Sequence, residues 1–179
     1  MVDTTNNDIP SFENEAQSVE IVIAQVIQYE TENSGKSLLD RIADIDAALE
    51  VEDFQRIQSA VGSFISHRIA SIEISFSKNK DASWDSSLKT IQHDAALALL
   101  ELRDMVGQNK TYTKDGNIIQ TPLVKFLSRE IKDRENSARR YEVKGNKDRV
   151  NFLREESSIL KKAYRQVLGK KYSGKGKEA

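Results

Sequence analysis

The stretch "LSREIKDRENSARRYEVKGNKDRVNFLREESSILKKAY", Leu127 to Tyr164, decides how this chain is read. On a wheel of about 100° per residue, Val124, Leu127, Ile131, Ala138 and Tyr141 fall within one arc. Lys125, Arg129, Lys132, Asn136, Arg139 and Arg140 fall within an opposite arc that contains no acid. Arg134 is the exception, because it lies inside the apolar arc. A guanidinium there must find carboxylates or carbonyls, or reach out to water, so it is expected to be a structural pairing residue. "EVKGNKD" turns the chain. Gly145 suits the left-handed position after a helix, and Asp148 is expected to cap the return helix. Val150, Leu153, Leu160, Tyr164 and Val167 supply the buried stripe of that helix, with Arg154, Ser158, Lys161 and Arg165 on another face. Residues 122–168 therefore read as a basic helical hairpin.

The rest of the chain is read outward from this hairpin. Thr121-Pro122 starts it, with Thr as N-cap and Pro at the first helical position. "KTYTKDGNIIQ" places Asp115-Gly116 between Thr/Tyr and Ile/Ile, so 110–121 is expected to form a small inserted β-hairpin. Before it, Trp84, Leu88, Ile91, Ala95, Ala98, Leu102 and Met105 step by 4 and 3, the seam of a helix over 83–106. Leu38, Leu39, Ile42, Ile45 and Leu49 form one stripe, and Phe54, Ile57, Val61, Ile65, Ile69 and Ile72 another, so 37–74 reads as a helical hairpin with Asp53 capping its second arm. Val19, Val22, Ile23, Val26 and Ile27 favour a helix, although the β-branched content of "VEIVIAQVI" leaves a strand open. Residues 1–17 are expected to be a disordered acidic arm, and 169–179 a flexible basic tail. The expected fold is all-α: an antiparallel helical bundle with that β-hairpin inserted, in a single domain over 18–168.

Of 179 residues, 38% are hydrophobic and 31% charged, which allows one core of modest thickness. There is no cysteine, which excludes disulfides, thiolate metal sites and a cysteine nucleophile. Two histidines, on different helices, make no metal site. No phosphate loop, dinucleotide fingerprint or catalytic triad spacing is present, so an enzyme is not expected, and no cofactor. No apolar run approaches the roughly 20 residues of a membrane span. The N-terminus has neither a signal peptide's nor a presequence's character, so the expected place is the cytoplasm, or an organelle matrix if a presequence was removed.

The net charge of −1 hides a split. Met1 to Val124 carries 10 Lys+Arg against 20 Asp+Glu, and Lys125 to Ala179 carries 17 against 8, giving −10 and +9. Either the basic part meets an acidic partner, or the two parts neutralise each other. If the stripe is free, the candidate nucleic-acid-binding residues are Lys125, Arg129, Lys132, Arg139, Arg140, Arg154, Lys161 and Arg165, acting on phosphates.

The opening stretch also resembles the helical hairpin of YqeY-like proteins, which are related to the C-terminal part of the GatB subunit of tRNA-dependent amidotransferases. The matching residues are Glu130, Lys132, Arg134, Ser137, Tyr141, Gly145, Asp148, Glu155, Glu156, Ile159, Leu160 and Tyr164. Ser37 to Ile74 follows the family's order more loosely, with Gly62 and Ser63 where that family has an arginine. The family's C-terminal tail domain has no counterpart before Ala179. The resemblance implies a helical bundle in a translation-related setting and carries over neither a tRNA site nor catalysis. Together with the basic stripe it makes the expected function that of a non-catalytic helical protein contacting RNA or a tRNA-bound complex, with Arg134, Tyr141, Gly145, Asp148 and Tyr164 structural. The alternative expectation is an assembly subunit of a larger complex, binding protein partners or itself through Trp84, Leu88, Ile91, Leu102 and Met105.

Overall fold

The computed structural model describes residues 12–33, 35–78, 82–104 and 121–168. Among these the chain is helical throughout: α1 (Phe12–Glu32), α2 (Leu38–Val51), α3 (Phe54–Lys78), α4 (Ala82–Asp104), α5 (Pro122–Val143) and α6 (Lys147–Leu168). α1 settles the open choice over "VEIVIAQVI" in favour of helix, because Val19, Val22 and Val26 bury one side at helical spacing. It opens at Phe12, inside the segment expected to be a disordered arm. The expected β-hairpin at 110–121 lies outside the described residues, except for Thr121.

Local chemistry fixes the helix ends. Ser37 and Asp40 form a reciprocal capping box at the start of α2. The Ser37 backbone N–H and hydroxyl both donate to Asp40 Oδ2 at 2.8 Å. These bonds, the backbone one foremost, hold the Asp40 carboxyl below its ordinary pKa. Asp53 Oδ1 accepts from the Gln55 N–H at 3.0 Å and caps α3. Thr121 accepts from Val124 N, with Pro122 at the first turn of α5.

The α5–α6 turn is a Schellman motif. The Asn146 N–H donates to Tyr141 O and the Gly145 N–H to Glu142 O, both at 3.0 Å. Gly145 has φ 73°, a conformation that excludes most side chains. One expectation is corrected here. The cap of α6 is Asn146, whose Oδ1 accepts from the Arg149 N–H at 3.1 Å. The helix begins one residue later, which leaves Asp148 in its first turn, where it complements the helix dipole.

α3 is the central helix and touches α1, α2, α4 and α6; α4 also packs on α5 and α1, and α6 on α2. The main core gathers Ile45, Ile57, Phe64, Ile65, Ile69, Leu102, Leu123, Phe126, Leu127, Leu160 and Tyr164 around it. The far end of the α5–α6 hairpin has its own small cluster of Ala138, Val150 and Leu153 with Tyr141 against it. Gly62, in mid-α3, faces α4. A methyl added there would meet Leu102 and Leu99 side chains at 3.6 and 3.7 Å, ordinary contact distances. Gly62→Ala is therefore expected to raise stability by about 0.5–1 kcal/mol, through lower unfolded-chain entropy and added packing. Chemical denaturation checks it, and a loss of stability would show that α4 sits closer than these distances allow.

Candidate nucleic-acid interface

The α5 stripe survives folding in part. Lys125, Lys132, Arg139 and Arg140 are exposed, and none forms an ion pair among the described residues. Arg129, in the middle of the same arc, does not share this freedom. Its Nη2 donates to Asp94 Oδ2 of α4 at 2.9 Å, and its Nη1 is occluded without a partner among the described residues. Arg129 thus belongs to the α4–α5 seam and is withdrawn from the expected phosphate contacts.

On α6, Arg154 meets Glu142 of α5 at 3.1 Å, and Lys161 pairs with Glu135. Both pairs lie on the surface and are worth little, so they compete only weakly with an incoming anion. Arg165 is exposed. The acidic and basic parts of the chain are joined by only two ion pairs among the described residues, Arg129–Asp94 and Arg68–Glu130. Most of the cationic face is therefore not neutralised by the front of the molecule.

The tip of the hairpin adds cations that the turn-like look of "EVKGNKD" concealed. Lys144 and Arg149 both lie over the Tyr141 ring at 5.8 Å, and Arg149 lies over Phe152 at 5.3 Å. The i, i+3 spacing of Arg149 and Phe152 is the sequence signal for that contact. Because cations already cover these rings, the tip offers charge in place of a bare stacking platform.

Beneath the stripe lies a network of buried charges. Arg134 is 8% exposed. Its Nη1 donates to Glu130 Oε2 at 2.9 Å and to Glu130 O at 3.0 Å, and its Nε donates to Glu156 Oε2 at 3.1 Å. Arg68 of α3 donates from Nε to Glu130 Oε1 at 3.0 Å. The Arg134 guanidinium also stands 5.5 Å from the centre of the Phe64 ring. Arg134 is a pairing residue, and Tyr164 is buried in the main core.

A second buried pair, Arg41 with Glu30, was missed in the sequence. It was findable by the same means: on the α2 wheel Arg41 falls between Ala48 and Ile45, inside the apolar arc. His67 lies nearby on α3. Burial first, and the Arg41 cation second, hold its imidazole below the ordinary pKa.

Part of the α4 seam is taken up inside the bundle. Leu102 is 1% exposed and lies in the core with Ala95 and Ala98, and the buried face runs on through Gln92, Ala96 and Leu99. Leu88 and Ile91 are partly exposed, while the side chain of Trp84, like Met105, lies outside what is described. α4 meets α1, α3 and α5, three neighbours within its own bundle. Among the described residues no cluster of His, Cys, Asp and Glu could hold a metal ion, and no helix is long and apolar enough to cross a membrane. No protein-family model, curated protein or solved structure matches this chain.

Proposed function

We propose that this chain is a non-catalytic, YqeY-like helical protein whose α5 face holds RNA, alone or within a translation complex, by its phosphate backbone. One observation carries the reading: Lys125, Lys132, Arg139 and Arg140 share one helix face, are exposed, and meet no counter-charge among the described residues. From Lys125 to Arg139 the helix rises about 21 Å, enough to follow several successive phosphates. The hairpin that presents them is stiffened by a buried ion network and by a tight turn, so few degrees of freedom are lost on binding. The covered aromatic rings favour contact without base readout.

Four phosphate contacts give a salt slope of roughly 3 to 3.5. The dissociation constant for a short RNA or a tRNA should then rise by roughly 50- to 150-fold between about 50 and 200 mM salt. Lys132→Glu/Arg139→Glu should weaken binding strongly and cut the slope by about half, with an unchanged helical circular dichroism signal. Fluorescence anisotropy reads both. Binding that ignores salt, or that persists in the charge-reversed variant, would remove the proposal.

A further inference from the structure

We infer that the cleft between the start of α2 and the α5–α6 hairpin binds a small zwitterion, an amino acid with an apolar side chain. The cleft holds about 360 Å³, within the range of small-molecule sites. Its lining charges cancel: Arg68, Arg134 and Arg149 stand against Glu130, Asp133 and Glu156. They cancel in number and not in hydrogen bonds.

Glu130 is satisfied, with Oε1 on Arg68 and Oε2 on Arg134. Arg134 uses Nε and Nη1, which leaves Nη2 without a partner among the described residues. Glu156 accepts through Oε2, which leaves Oε1 in the same state. Both side chains are 9% exposed. Yet the occluded and unpartnered side-chain atom among the described residues is Arg129 Nη1, so Arg134 Nη2 and Glu156 Oε1 are not sealed in packed protein. Both belong to side chains that line the cleft. At its mouth, Asp133 and Arg149 are exposed and form no ion pair among the described residues. The rings of Tyr141 and Phe152 fix the Arg149 guanidinium in place without neutralising it.

The ligand class follows from these unused groups. Free guanidinium N–H groups call for a carboxylate, and free carboxylate oxygens call for an ammonium. A phosphate would satisfy the first and be repelled by the second, and a simple amine would do the reverse. A zwitterion meets both and matches the zero net charge of the lining. Leu39, which is half exposed, and Leu38 beside it provide an apolar wall on which a hydrophobic side chain can lie.

The site does not depend on the RNA reading, and its test is separate. The isotope-labelled full chain is titrated by NMR with L-phenylalanine and L-leucine. The same is done with N-acetyl-L-phenylalanine, which keeps only the carboxylate, and with phenethylamine, which keeps only the ammonium. A free amino acid is expected to produce saturable shifts near Ser137, Arg149 and Phe152, and to bind about tenfold more tightly than either singly charged compound. Arg149→Gln and Asp133→Asn are each expected to weaken binding about tenfold. Asp133→Asn should leave thermal stability unchanged, because the position is exposed and unpaired among the described residues, and Arg149→Gln should lower it only slightly through its lost ring contacts. Absence of saturable shifts at millimolar amino acid would overturn the proposal. So would either analogue binding as tightly as the free amino acid, or a variant that binds as well as the parent.

Discussion

Arg134→Met is expected to destabilise the protein by about 3–5 kcal/mol. Methionine fills a similar volume, so the loss is electrostatic before it is steric. The substitution strips Glu156 of its cation while that carboxylate stays buried, at 9% exposure. Glu130 keeps Arg68 but loses a second donor. The stack over Phe64 goes as well, an interaction worth on the order of 1 kcal/mol. A buried charge left alone costs far more than the pair contributed, since the pair was already offsetting the desolvation of both ions.

That asymmetry gives the experiment its control. Arg134→Met/Glu156→Leu removes both charges at once and should regain most of the loss, because well-packed apolar substitutes for buried pairs are often neutral or better. Urea denaturation should show the midpoint falling in the single variant and recovering in the double one, with the slope unchanged. A single-variant loss below about 1 kcal/mol would mean that water reaches Glu156 freely.

The second large effect is expected at Arg41. Its Nη2 meets Glu30 Oε2 at 2.6 Å, while Nη1 reaches Glu30 Oε1 at 3.0 Å and both Ser63 O and Ser63 Oγ at 2.9 Å. One side chain from α2 thereby ties α1 to α3. The described part of α1 carries no lysine or arginine of its own, so Glu30 takes its counter-charge from another helix. Arg41→Leu should cost about 3–5 kcal/mol, again by stranding a buried carboxylate.

The local signature differs from that of Arg134. α1 packs on α3 and α4 alone among the described helices. Amide exchange from Val22 to Glu30 should therefore accelerate in Arg41→Leu more than exchange in α5 or α6. A double-mutant cycle with Glu30→Leu should return a coupling of about 1–3 kcal/mol. Uniform acceleration across all helices would show that the pair stabilises the whole bundle and does not act as a clamp on α1.

These two networks mark how far the chain could be read without coordinates. Arg134 was legible as a pairing residue because a guanidinium inside an apolar arc has few alternatives. Its partners were not, since Glu130 and Glu156 look like ordinary solvated acids on charged helices. Arg41 carried the same signal and was overlooked among the aspartates of α2. The α4 repeat gives the helix and part of its inward face, Ala95, Ala98 and Leu102. A seam faces one partner, whereas α4 is wrapped by three helices, and that turns its buried face toward Gln92, Ala96 and Leu99. Leu39 shows the converse: it sits in the α2 stripe by spacing, and the structure leaves it 50% exposed.

What the sequence by itself determined was the helical character of α2 to α6 and several of their local ends: the Asp53 and Thr121 caps and the Gly145 turn. Those features rest on hydrogen bonds and backbone preferences spanning only a few residues, so the local chain specifies them. Only the tertiary structure decided which charges are spent and which remain. Arg129 is taken by Asp94, 35 residues away, and Glu130 by Arg68, 62 residues away, while Lys125, Lys132, Arg139 and Arg140 stay free among the described residues. Counter-charges so far apart in sequence meet only when the helices pack, because Coulomb attraction depends on distance in space and on burial.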